Sequence, residues 1–224
     1  MRNPSILYFS LFFSSFLGFS QLKKNEPQKG LELSLPATFT LMSDDDLAQK
    51  YPSYKKPIAM YESEDRNAEM GVNAAVNKWK NYNLGVIKDV YKSTISTIFT
   101  EVNFIQDGNI VDINDRKYVI FEFTSAIIDD KRVDNNPVST RRYNYLAYTI
   151  YQKKILVFNF NSTFGSKSEW MPMAVQIMKS IKISDRLKIK EFEPYRAQGP
   201  RPTRVAGDKN KEQEALMKQN QLKK

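Results

Sequence analysis

Tyr118-Val119-Ile120-Phe121-Glu122-Phe123-Thr124-Ser125-Ala126-Ile127-Ile128 is the stretch on which the fold turns. It is rich in β-branched and aromatic residues and holds neither Gly nor Pro, the composition of a strand. Val119, Phe121 and Phe123 point one way while Tyr118 and Ile120 point the other. A strand apolar on both sides belongs to a sheet covered on both. Residues 143–151 and 155–160 repeat the theme, with Leu156, Phe158 and Phe160 opposing Ile155 and Val157. The links between these segments are short, which favours antiparallel pairing. Two helices supply the cover. Leu84, Ile87, Tyr91, Ile95 and Ile98 recur at helical spacing over about four turns. Residues 170–180 form the second helix, with Met171, Ala174, Val175 and Met178 on its inner stripe; Pro172 fits there only within the first turn. The expectation is an α+β fold, an antiparallel sheet with helices on both faces: an α/β/α sandwich.

Working outward, Leu31-Glu32-Leu33-Ser34-Leu35 alternates as a first strand and stops at Pro36. Residues 39–41 make a short second strand. Ser43 suits a helix N-cap, and Asp44, Asp45 and Asp46 favour the positive end of that helix's dipole, which ends near Tyr51 before Pro52. Strands follow over 58–61 and 69–77. Residues 102–105 and 110–113 flank Asp107-Gly108, which reads as a hairpin turn. Asp129, Asp130, Asp134, Asn135 and Asn136 suit a long turn between the strong strands.

The ends of the chain differ from its middle. Arg2 precedes an apolar run over 6–19, and Gly18 and Ser20 stand at the small-residue positions of a cleavage site before Gln21. That order reads residues 1–20 as a secretory signal peptide, too short to span a bilayer. Residues 21–30 read as a flexible lead-in, 31–183 as the folded domain, and 184–224 as a basic, Pro-containing extended tail with Arg196, Arg201 and Arg204.

Leu35-Pro36 followed by Phe39, Lys50-Tyr51-Pro52 with Pro57, the strand over 118–123 and the closing Ile177-Met178-Lys179-Ser180-Ile181 resemble PsbP-like proteins over residues 31–183. The resemblance implies an antiparallel sheet between helices. The superfamily includes the photosystem II extrinsic subunit and a Ran-binding import factor. Both act by docking onto larger partners, so the resemblance implies docking rather than catalysis.

Missing residue types narrow the function further. With no Cys there are no disulfides, thiolate nucleophiles or thiolate-bound zinc. With no His, a Ser–His–Asp triad and imidazole metal sites are excluded. No cofactor or metal site is expected. Lys and Arg number 34 against 25 acids, and the net charge of +9 favours anionic neighbours. In an exported chain these are an envelope protein or protein complex, with anionic lipid or polysaccharide reached through the tail, and no nucleic acid. The residues read as partner-binding are Arg141, Arg142, Tyr143 and Tyr145, which interleave charge and aromatic rings, and Arg201 and Arg204 in the tail. The expected role is an exported, non-catalytic docking module in the periplasm or outside the cell. The alternatives are a carrier of a small apolar or anionic ligand, or a hydrolase built on Asp, Glu, Lys or Tyr.

Overall fold

The strands run well beyond the apolar stretches that announce them. The computed structural model describes residues 21–51, 56–76, 83–133 and 136–189. Its elements are β1 (Leu22–Gln28), β2 (Leu31–Pro36), β3 (Phe39–Leu41), α1 (Asp44–Lys50), β4 (Ala59–Ser63), β5 (Ala68–Val76), α2 (Leu84–Ile98), β6 (Glu101–Ile113), β7 (Arg116–Val133), β8 (Asn136–Tyr151), β9 (Lys154–Thr163), α3 (Lys167–Lys179) and β10 (Lys182–Ile183). The signal peptide read over 1–20, Trp79, and the tail from residue 190 onward, Arg201 and Arg204 included, lie outside the described residues.

These residues divide into two compact units, 21–42 with 57–189, and 43–51 with Lys56. The smaller holds α1. There the Ser43 hydroxyl accepts from the Asp46 amide at 3.2 Å while the Asp46 carboxylate accepts from the Ser43 amide, a reciprocal capping box. Lys56 pairs with Asp44 at 2.6 Å.

The larger unit holds every strand. Seven pair antiparallel in the order β3-β4-β5-β9-β8-β7-β6, and β1-β2-β10 form a second, three-stranded sheet. Val119, Phe121 and Phe123 lie with Tyr148 and Ile155 beneath Ile87 and Ile95 of α2. On the opposite face Tyr118, Phe158 and Phe160 are fully buried. Trp170 of α3 approaches Phe160 at 5.8 Å and meets Phe39 edge-on at 5.5 Å. α3 also packs against β2, whose Leu31, Leu33 and Leu35 are fully buried. Helices therefore cover both faces, as expected. Each large side chain sealed in this way contributes about 1.5–3 kcal/mol.

Five local expectations are corrected. The lead-in is strand β1, paired antiparallel with β2. It is polar because it is an edge, with Lys23 and Lys24 in solvent. Asp107-Gly108 is a bulge inside the continuous β6, with Gly108 at φ 73°; a bulge and a tight turn ask the same positive φ of glycine. A side chain there would meet Lys88 of α2 at 2.6 Å. The hairpin turns instead at Asn114-Asp115, φ 47° and 63°, the double positive φ that matches strand twist. Of the long turn expected over 129–136, residues 129–133 and Asn136 are strand, because β7 and β8 stay paired as far as Val133 and Asn136 across a register shift, and Asp134 and Asn135 lie outside the described residues. α3 begins at Lys167, which puts Pro172 sixth, in its second turn, where the Ser168 carbonyl loses its usual donor. The earlier start also moves the buried stripe to Trp170, Met173, Ala174, Ile177 and Met178. Finally, residues 184–189 are tied to the unit rather than to a tail: Leu187 is fully buried, and the Tyr151 hydroxyl shares its one proton between the Ser184 and Leu187 carbonyls, at 3.0 and 2.9 Å.

Candidate partner-binding site

α2 packs chiefly on β6, β7 and β8, near one end of their strands. Toward the other end the same sheet face turns polar. Register places Phe123, Asn144, Asn161, Glu69, Glu62 and Thr40 in one row across β7, β8, β9, β5, β4 and β3. Directly paired residues share a face, so this row continues the face that α2 covers at Phe123. Ser125, Arg142 and Thr163 flank it on one side, and Leu146, Asn159, Gly71 and Met60 on the other.

The polar groups of this patch bond to one another. Arg142 donates to Asn161 Oδ1 at 2.6 Å, and Asn161 Nδ2 lies 3.4 Å from Glu69 Oε2. Asn144 donates to Ser125 Oγ at 2.9 Å, and Asn73 to Asn159 Oδ1 at 3.0 Å. Glu69 is 4% exposed and Asn144 7%, whereas Arg142, Asn73, Asn159 and Asn161 are half-buried. Gly71 makes room for this arrangement, since a Cβ there would fall 2.5 Å from the Asn159 amide oxygen. Glu62 and Glu69 stand directly opposite each other, a like-charge pairing that costs stability unless cations offset it. Arg66 reaches Glu62 at 3.8 Å, and Arg142 approaches Glu69 through the Asn161 amide.

Strand alternation separates the four residues that the sequence groups together. Arg142 joins the polar row. Tyr143 and Tyr145 turn to the other face, where both are buried, so their rings form core rather than a stacking surface. The Tyr143 hydroxyl donates to Glu122 Oε1 at 2.9 Å, and Gln106 donates to Glu122 Oε2 at 2.7 Å. Burial, reinforced by the Glu122 charge, pushes the Tyr145 hydroxyl up to about 12 and that of Tyr143 higher still. Arg141 stays exposed and pairs with Glu101 at 3.6 Å. Asn73, Asn144, Asn159, Asn161 and Glu69 are missed by the sequence reading. The signal for two of them is visible in Phe158-Asn159-Phe160-Asn161, where one side of an otherwise apolar strand switches to amides.

Two rival readings meet specific obstacles. The space between α2 and the sheet is filled by side chains, with Tyr91 stacked on Tyr148 at 4.1 Å between the buried Ile87 and Ile95. That leaves the helix–sheet seam to packing rather than to an apolar cargo. The buried carboxylate of Glu122 is held by the neutral donors Tyr143 and Gln106. Among the described residues no group of three or more acids could hold a metal.

No family model matches the sequence, and no curated protein matches it. Solved structures do. Cyanobacterial PsbP (CyanoP) from Synechocystis sp. PCC 6803 is similar at a TM-score of 0.50 and 12% identity, covering 78% of this chain and 99% of that one. LpqN, described as involved in cell envelope biogenesis of Mycobacterium tuberculosis, aligns at 0.47 and 9% identity over 73% of this chain and 91% of its own. The Ran-binding protein Mog1p of Saccharomyces cerevisiae aligns at 0.47 and 10% identity over 73% and 96%. At this identity the likeness is one of fold, and the fold is the PsbP-like one.

Proposed function

We propose that this chain is an exported, non-catalytic binding module that docks a protein partner of the cell envelope on the polar row of its large sheet. The observation that carries the reading is the row itself. Amides, a carboxylate and a guanidinium are held in fixed orientation by their neighbours on a rigid sheet, with Asn73, Arg142, Asn159 and Asn161 half-buried over the buried Glu69 and Asn144. Such an array supplies donors and acceptors in a set geometry, which gives orientation and specificity to a docked surface. Export is supported by the signal-peptide pattern over residues 1–20, and non-catalysis by the absence of His and Cys. No helix among the described residues is long and apolar enough to cross a membrane. In this reading Arg201 and Arg204 add a salt-sensitive attraction of the tail to anionic lipid or polysaccharide.

A photo-crosslinking residue at Asn73 tests the docking surface in intact cells. One discrete protein adduct is expected, and it should disappear in Arg142→Ala; a protein that forms no adduct and is recovered only as a free monomer overturns the reading. Intact-mass measurement tests export, with the mature chain beginning at Gln21. Retention of residues 1–20 in exported material overturns the cleavage. Deleting residues 195–224 should leave the melting temperature unchanged while flattening the salt dependence of envelope binding, and a large fall in melting temperature would instead place the tail within the fold.

A further inference from the structure

On the export reading proposed above, and resting on it, cleavage after Ser20 leaves Gln21 first in the chain, with a free α-amine and a side-chain carboxamide on one residue. In the structure Gln21 is exposed and lies just ahead of β1, whose ladder opens with Leu22 opposite Pro36. Pro36 offers no N–H to the pairing at that end, and Gln21 stands outside the sheet. Its side chain makes no hydrogen bond among the described residues.

Other amides of the unit are tied. Gln28 donates to the Lys188 carbonyl, and Gln152 to the Tyr151 hydroxyl. Asn114, exposed in its hairpin turn, donates to the Lys179 and Ile181 carbonyls at 3.0 and 2.7 Å. The carboxamide of Gln21 is held by nothing comparable, and it belongs to the residue whose α-nitrogen the cleavage would liberate. A share of α-amines is unprotonated at neutral pH, and in that form the nitrogen is a nucleophile.

We propose that Gln21 of the exported chain cyclises to pyroglutamate. The α-nitrogen attacks Cδ of the side-chain amide. The N–Cδ bond forms, the Cδ–Nε2 bond breaks, and Nε2 leaves as ammonia with a proton taken from the α-nitrogen. The product is a five-membered lactam, and the step consumes no oxidant, metal or second substrate. Nucleophile and carbonyl sit on one residue, so bringing them together costs little entropy. Nothing in the sheet has to open for the ring to close, because Leu22 is the first paired residue.

The ring removes the terminal positive charge, which would otherwise stand beside the exposed Lys23 and Lys24 of the edge strand. It also removes the amine that aminopeptidases recognise. Chain ends are where proteolysis concentrates, and trimming from an open end would enter the paired strand β1 after a single residue. The lactam closes that route.

The test is mass spectrometry of the full exported chain recovered from its own cells. Its amines are labelled by reductive dimethylation before digestion after glutamate, which releases residues 21–26 as the first peptide. That peptide should be lighter by one ammonia and should carry label on Lys23 and Lys24 but none on its α-nitrogen. Residues 21–26 with a labelled α-nitrogen and no ammonia lost overturn the inference while leaving cleavage before Gln21 intact. A chain that keeps residues 1–20, or that starts elsewhere, overturns the cleavage and the inference with it. In exported Gln21→Ser, which cannot form the ring, the label should appear on the terminal nitrogen. Its absence there would reveal a block of another kind and overturn the assignment to the lactam.

Discussion

At the α2 end of the large sheet, Val119, Phe121, Phe123 and Ile155 are almost completely buried beneath a helix. A few residues along the same strands, Asn144, Asn159, Asn161 and Glu69 occupy the same face. Phe123 and Asn144 are direct cross-strand neighbours, so the change from core to polar array takes place across a single pair. Backbone pairing is continuous through both regions, and only the side chains and their cover differ. The apolar end draws its stability from area removed from water. The polar end must satisfy every group it partly buries, because an unmet amide or carboxylate there costs more than a made hydrogen bond returns. Stability and recognition are thus laid side by side on one sheet face, and their separation can be tested.

The sharpest way to break the contrast is at its apolar end. Phe121→Ala should destabilise by about 3–5 kcal/mol, the usual cost of truncating a buried Phe, measured by urea unfolding. A change within error would mean that α2 does not seal this end. The back of the sheet gives the next effect. Tyr143→Phe removes the hydroxyl that donates to buried Glu122 and should cost about 1.5–3 kcal/mol, the range for a hydrogen bond to a charged group. At the polar end, Arg142→Ala should cost less than about 1 kcal/mol, since Arg142 is half-buried and its partner Asn161 keeps Glu69, yet it should abolish crosslinking at Asn73. Equal losses for Phe121→Ala and Arg142→Ala would erase the distinction.

Alkaline pH sharpens the same comparison. Burial raises Tyr148 beneath α2, and with it Tyr91, Tyr118, Tyr143 and Tyr145. A tyrosine whose folded value is raised favours the folded state fully below its unfolded value of about 10. That stability is lost as pH climbs through the folded value, about 12 for Tyr145. Circular dichroism should therefore hold from neutrality to pH ~10 and fall above it, together with the part of the phenolate absorbance that these five rings supply. Ionisation of all the chain's tyrosines at pH ~10 without loss of structure would show these rings to be accessible.

The amphipathic helix over Leu84–Ile98 and the strands β7, β8 and β9 were readable in the sequence because period and composition agree there. Ser43 and its three aspartates were readable as a cap for the same reason: local chemistry suffices. Where one residue type serves two geometries, the reading erred. Asp-Gly at 107–108 meets the need of a bulge as well as that of a turn, and only the pairing of β6 with β7 selects between them. Polar β1 carries no strand signature of its own, since its strand state comes from the partner β2. Of the binding residues named from sequence and described in the structure, Arg142 alone reaches the polar row. Tyr143 and Tyr145 were grouped with it by proximity in the chain, which strand alternation undoes.

The sequence by itself determined the alternation of each strand, the helical stripes, the absence of thiol and imidazole chemistry and the excess of positive charge, all of which are local or additive properties. Tertiary structure decided which amides meet. Asn144, Asn161 and Glu69 come from three strands and become neighbours only through register. Register and packing are set by the sum of many long-range contacts, and no single segment encodes that sum.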